Sequence, residues 1–303
     1  MGRGAALPSL AVLVSVTPGA TAQVDSGGAS GACDLALEAR QLAPVIDYDA
    51  FDLALATATV DWSVENRADA PCQVLVGVRD LADQPPPFVV GASGAPVTVT
   101  LADAQPAASQ STEAGSYLVT VGPNASRALQ LDLAVPQGRV IEAGSYDQPF
   151  RIVFETTGGE QLAGPVEGTI RLAVPPRAQV NVAGADGRFG EAGFLDEVVF
   201  DDPRRGDRRR VFVQVRSNAN ATVTLSSRNG GVMVNEEAEG SAIAWSAEVS
   251  GVPLDLSAPS VVATTGPTQR RGASLPLDIV VGEATRRFAG TYTDLVTVTV
   301  TTE

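Results

Sequence analysis

Two cysteines, Cys33 and Cys72, and 35 aspartates and glutamates are the groups in this chain whose types could do chemistry. Histidine and lysine are both absent, so all 21 basic residues are arginines. Without histidine there can be no Ser-His-Asp triad, no Cys-His pair and no imidazole metal ligand. A pair of carboxylates could still cleave a glycosidic bond. The acids, however, gather in turn-like settings such as Asp201-Asp202-Pro203 and Glu236-Glu237, where a solvated loop is their ordinary state. The reading is therefore a non-enzyme with no cofactor and no metal. In an exported protein two lone cysteines most simply form a disulfide; the alternatives are two free thiols, or half of a metal site that no other Cys or His completes.

The formal charge of −14 leaves no electrostatic case for nucleic acid or an anionic membrane as partner. Asp201 to Arg210 is the one dense charge run, and its Arg205-Gly206-Asp207 triplet reads as coincidence within a solvated turn. The N-terminus has Arg3, an apolar run from Leu7 to Val16 and then Ala20-Thr21-Ala22, the order of a secretory signal cleaved after residue 22. The apolar run is too short to span a bilayer, and no later segment is long enough. The mature chain is expected outside the cytoplasm.

The elements that must position these groups are short Val/Thr/Leu runs separated by Gly, Pro, Asn and Asp, with no sustained helical period. Eight strand-like runs precede Pro175-Pro176, from Leu35–Ala39 to Thr169–Val174, and eight follow it, among them Glu197–Phe200 and Leu295–Val300. Ser226 to Gly231 reads as a hairpin turn. An internal repeat supports two units: Leu129, Leu131, Asp132, Val135, Ala143, Gly144 and Tyr146 recur as Leu275, Leu277, Asp278, Val281, Ala289, Gly290 and Tyr292 at a constant offset of 146 residues. At the same offset Phe150, Ile152 and Phe154 meet Val296, Val298 and Val300. After the first copy the chain turns through Gly158-Gly159 into another strand-like run; the second copy has no such return. The expected architecture is all-β, two tandem sandwiches spanning 23–175 and 176–303, the second lacking its final strand. Between strands, Gln84 to Gly91 carries Pro86, Pro87, Phe88 and Val89. It reads either as a stiff turn with Phe88 in the core or as an exposed surface-contact finger.

Phe288-Ala289-Gly290-Thr291-Tyr292-Thr293-Asp294-Leu295-Val296-Thr297-Val298-Thr299-Val300 resembles the closing motif of the spore coat protein U domain, the fold of pilus subunits in archaic chaperone-usher systems. Val215 to Asn220 and Leu225 to Val232 resemble that family's central hairpin, and Ile243 to Gly251 the segment after it, with Trp245 where Tyr is more usual. In the first unit the resemblance is confined to Cys33, Cys72 and the turn at Gly144. It implies an immunoglobulin-like sandwich missing its last strand, with an acceptor edge at Tyr292, Val296, Val298 and Val300. That edge would be filled first by a periplasmic chaperone and then, after passage through an outer-membrane usher, by the adjacent pilin subunit. Only a short Gly/Ser-rich stretch, 23–32, precedes Cys33, so this chain is expected to accept a strand without donating one. A two-domain acceptor implies a tip adhesin at the cell surface, whose first unit is self-completed and meets a surface or glycan receptor. The rival readings are a coat or matrix protein polymerising by the same strand exchange, and a secreted glycan-binding or glycan-cleaving sandwich.

Overall fold

The computed structural model describes residues 33–37, 42–91, 94–102, 105–106, 115–201, 206–282, 284 and 287–302. The expected signal segment, the 23–32 stretch and Arg205 of the triplet lie outside the described residues. Within them the chain is all strand and connection, with no helix. The first half forms β1 (Leu35–Leu37), β2 (Val45–Asp47), β3 (Ala56–Asn66), β4 (Cys72–Asp80), β5 (Phe88–Val90), β6 (Ala95–Leu101), β7 (Gln105–Pro106), β8 (Ser116–Val121), β9 (Ala125–Val135), β10 (Gly144–Glu155) and β11 (Gln161–Val174). The second half forms β12 (Ala178–Ala183), β13 (Arg208–Ser217), β14 (Ala221–Ser227), β15 (Val232–Asn235), β16 (Ala242–Val249), β17 (Val252–Pro253), β18 (Ser260–Thr265), β19 (Ala273–Val281), β20 (Tyr292–Thr293) and β21 (Val296–Thr302).

The first half folds as two facing sheets, β1-β3-β9-β6-β5 and β2-β11-β10-β4-β8-β7. Period-two alternation aims Val60, Trp62 and Val64 of β3, Leu129, Leu131 and Leu133 of β9, and Phe150, Ile152 and Phe154 of β10 into one core. Trp62 meets Phe154 edge-on at 5.5 Å between ring centroids, a favoured aromatic geometry. Cys33 and Cys72 are disulfide-bonded, joining the start of β1 in one sheet to β4 in the other. A long ladder forms the β10–β11 hairpin, which runs from Gly144↔Val174 to Glu155↔Gln161. Its Thr156–Glu160 turn is closed by the Thr156 N–H donating to Glu160 O at 2.7 Å.

In the second half, among the described residues, one sheet runs β12-β13-β19-β16-β15-β20 with β17 on β16, and the other is β18-β14-β21. The pairings make the repeat visible in space. β12-β13-β19-β16-β15 reproduces β1-β3-β9-β6-β5, and β21-β14-β18 reproduces β10-β4-β8. Nothing among the described residues reproduces β11 or β2. The second unit is thus a sandwich short of strands on one sheet, as its sequence suggests.

Two expectations are corrected. Glu197–Phe200 is not a strand: no ladder forms there, although Leu195 and Val198 pack against the second core. Its place in the chain, after β12 and before β13, corresponds to that of β2, which is held by parallel pairing to β11. With no counterpart of β11 beside it, the segment has no partner to pair with. Ser226 to Gly231 is not a hairpin turn either. β14 pairs with β18 and β21 while β15 pairs with β16 and β20, so the connection crosses between sheets.

The Pro175-Pro176 connection is clamped. Buried Asn218 donates from Nδ2 to Pro175 O at 3.0 Å and accepts the Arg177 N–H at 2.6 Å on Oδ1. Its own backbone oxygen accepts the Ala143 N–H of the first sandwich at 2.8 Å. Arg177 pairs with Asp49 across the junction at 3.3 Å.

Candidate functional site

The site follows from the pairing deficit. β10 is covered on both edges, by β4 and by β11, and Phe150, Ile152 and Phe154 are at most 1% exposed. Their counterparts Val296, Val298 and Val300 on β21 also face a core but stay half-buried, while Thr297, Thr299 and Thr301 point outward. β21 pairs only with β14 among the described residues. Its other edge borders a groove of about 260 Å³ whose floor and walls include Val182, Val198, Met233, Trp245, Ile279 and Val298. Strand edge and apolar floor lie together there, as strand addition requires: backbone groups for the ladder and pockets for alternate side chains.

The approach to this edge is held rigidly. Tyr292 donates its hydroxyl to Phe288 O at 2.8 Å, and Ser241 Oγ lies 2.6 Å from the same hydroxyl. Tyr146 makes the same bond in the first sandwich, to Glu142 O at 2.9 Å; both are tyrosine corners of the kind found in immunoglobulin-like folds. Gly290 adopts φ +139°, and a Cβ there would lie 2.8 Å from Asn235 Nδ2, so only glycine lets the turn close on Asn235. Beyond it the chain switches sheets at Asp294. That carboxylate accepts from Ser227 Oγ at 2.5 Å, the Trp245 indole N–H at 2.9 Å, the Asn229 N–H at 3.1 Å and the Leu295 N–H at 2.8 Å. Asp294 therefore fixes where β21 begins, a role that its sequence context did not signal.

Of the residues singled out in sequence, Tyr292, Val296 and Val298 line the groove together and Val300 continues the same row. The 86–89 loop divides. Phe88 is 3% exposed and belongs to the first core, opposite Val97, which corrects its reading as a contact residue: a side chain in the core cannot also meet a surface. Val89 is 64% and Leu81, which precedes the loop, 61% exposed. Cys33 and Cys72 are far from the groove in the chain's first core. Among the described residues no group of three or more potential metal ligands comes together.

No family model and no curated protein matches this sequence. Among solved structures the chain is similar to the complex of chaperone CsuC with tip adhesion subunit CsuE, from archaic chaperone-usher Csu pili of Acinetobacter baumannii, at 11% identity over 89% of this chain and 99% of that chain, with a TM-score of 0.44. It is similar to the CupB6 tip adhesin of Pseudomonas aeruginosa at 12% identity over 93% and 95% of the two chains, TM-score 0.37. It is also similar to CfaE, the adhesive subunit of CFA/I fimbria of enterotoxigenic Escherichia coli, at 9% identity over 87% and 93%, TM-score 0.32.

Proposed function

We propose that this chain is a surface pilus subunit whose second sandwich, 176–303, is completed by a β-strand from another polypeptide. The observation that supports it is the sheet that continues from β10 into β11 in the first unit and stops at β21 in the second. The first unit also serves as a template for the incoming strand. β11 runs antiparallel to β10 and parallel to β2, so the strand would run antiparallel to β21 and pair in parallel with the Glu197–Phe200 segment on its other side. On β11 the residues that fill the core are Ile170, Leu172 and Val174, all at most 3% exposed. Three such side chains contribute about 1.5–3 kcal/mol each, so the inserted strand adds roughly 6 kcal/mol, comparable to the stability of many domains.

In this reading a periplasmic chaperone occupies the slot before an adjacent subunit does, an outer-membrane usher assembles the fibre, and the first sandwich, 23–175, sits at the tip as the adhesin. Exposed Leu81 and Val89 make its 81–89 loop the candidate contact with a surface or receptor. Fusing an alternating apolar strand after Glu303 tests strand acceptance: the transition of the second sandwich should rise by roughly 20 °C. No rise would remove the proposal. Deleting 33–175 tests the adhesive role separately, because fibres should still assemble while attachment is lost; unchanged attachment would favour a structural coat or matrix role.

A further inference from the structure

A second concavity, unrelated to the groove, lies where the two sandwiches meet. It has a volume of about 220 Å³ and is walled by Ala50, Phe51, Leu53 and Val140 of the first sandwich and by Arg216 and Arg270 of the second. Four separate stretches line it, 50–53, 138–140, Arg216 and Arg270. Arg216 stands on β13, and its guanidinium is held between the rings of Phe51, at 4.7 Å, and Phe189, at 4.6 Å. Phe189 is delivered by a loop that Gln214 ties down, accepting the Gly190 N–H at 3.1 Å, and by its own N–H donating to Arg271 O at 3.0 Å. Arg270 comes from the β18–β19 connection and reaches Gly138 O, on the β9–β10 connection, at 3.5 Å.

The charge balance of this pocket is unusual for so acidic a chain. Arg216 bonds only a neutral partner through its Nε, Gln179 Oε1 at 2.7 Å. Among the described residues no carboxylate stands within ion-pair distance of Arg216 or Arg270. Asp52 is the one carboxylate among the lining residues; it stays charged, accepts the Ala54 N–H of its own turn at 3.0 Å and stands outside ion-pair distance of both arginines. Burial first, and then the neighbouring Arg270 charge, hold the Arg216 guanidinium below its usual range, though arginine remains charged throughout the working pH range. Arg216 is half-buried and Arg270 exposed; two like charges facing one cavity repel, and the half-buried one lacks an ion-pair partner to offset its lost hydration. An anion between them would relieve both, and guanidinium forks suit carboxylate geometry.

We propose that the junction pocket binds a small organic acid, a carboxylate carried on one apolar ring or a chain of similar size. The apolar walls would take the body of the ligand and the two arginines its carboxylate. Size supports this class: an apolar cavity of about 150 Å³ accepts benzene, and this pocket, at about 220 Å³, has room for a ring plus its acid group. The proposal is independent of strand acceptance, since none of its residues borders the groove.

Titration calorimetry of benzoate into the full chain tests it, with benzamide as the uncharged isostere. Benzoate should bind saturably with a dissociation constant of about 1 mM or tighter, and benzamide at least tenfold more weakly. Arg270→Gln, at an exposed position whose loss should leave the melting temperature unchanged, should weaken benzoate binding about tenfold. Leu53→Asp, also exposed, should weaken it by placing a negative charge on the rim. Absence of saturable benzoate binding, equal binding of benzamide, or full benzoate affinity in both variants would each overturn the proposal.

Discussion

In the first sandwich β10 has neighbours on both edges, while in the second its counterpart β21 has β14 on one side and a groove on the other. The residues at the repeat positions are alike in type: a glycine turn, a tyrosine corner, then three apolar side chains facing inward. Whether that row becomes a core or a docking surface depends on whether a further strand returns alongside it, since only then is the apolar face of the first strand buried. Even the intrinsic closing strand carries a sign of fit. Gly168 of β11 lies so close to the Phe150 ring that a Cβ there would come within 2.5 Å of it. Leu42 O would stand 2.7 Å from the same Cβ; the second copy has the smaller Val296 in place of Phe150, which removes the ring's share of that crowding from a strand entering there.

The largest contrast is expected from placing a charge at equivalent positions. Ile152→Asp puts an unpaired carboxylate into a fully buried site and should cost the first sandwich about 4 kcal/mol or more. Val298→Asp is at a half-buried position and should cost the free chain only about 1 kcal/mol, yet abolish the stabilisation by a strand fused after Glu303. Calorimetry resolving two transitions checks both; equal losses would mean that the second core is as closed as the first. Next is the disulfide. Cys33→Ser with Cys72→Ser opens a link of sequence separation 39 and should lower the first transition by about 4 kcal/mol through chain entropy, leaving the second where it was.

A smaller effect distinguishes the two strand entries. Asp294→Ala strands the Trp245 indole, Ser227 and two backbone N–H groups and should cost about 2 kcal/mol. Its repeat counterpart Gln148 bonds only its neighbour Pro149 O, at 3.1 Å, so Gln148→Ala should stay within about 0.5 kcal/mol. The smallest expected effect is in acid. The Arg210 fork, bonded to Asp278 at 2.8 and 2.9 Å with Arg208 nearby, holds that buried carboxyl below its ordinary range. A lowered folded-state value stabilises above the ordinary aspartate pKa of about 3.9 and is lost as pH falls through the folded value. The second sandwich should therefore weaken below about pH 4, and Asp278→Asn should flatten that slope. In the first sandwich Arg171 likewise lowers Asp147, but both partners are half-exposed and the pair is screened by solvent.

The sequence made the strands legible wherever apolar residues alternated over five residues or more, as with Leu in β9, Ile, Trp and Val in β16 and Val in β21, because the period itself reports a one-sided face. β2, β5 and β20 are two or three residues long, too short to show a period, and β18 has both exposed and half-buried valines without clean alternation. Glu197–Phe200 shows why pattern is insufficient: its apolar spacing suits a strand, but a ladder needs a second backbone. The acceptor row could be read from residues 292–300 because the internal repeat supplied a completed copy to compare it with. The polar pins could not. Asp294, Asn218 and Gln214 are ordinary turn or strand residues in sequence, and only tertiary contact assigns each of them a partner.

The Asn218 clamp has a mechanical consequence. Pro175-Pro176 could have been a swivel, yet Asn218 bonds the chain on both sides of Pro176 and also reaches Ala143 in the other body. Rotating one sandwich against the other would first break those bonds, and Asn218, which makes them, is itself fully buried, so its lost partners are costly. The far end of the first sandwich consequently does not sweep a cone about the second. It behaves as a lever arm with a set bearing, so that whatever anchors the groove also aims the opposite end.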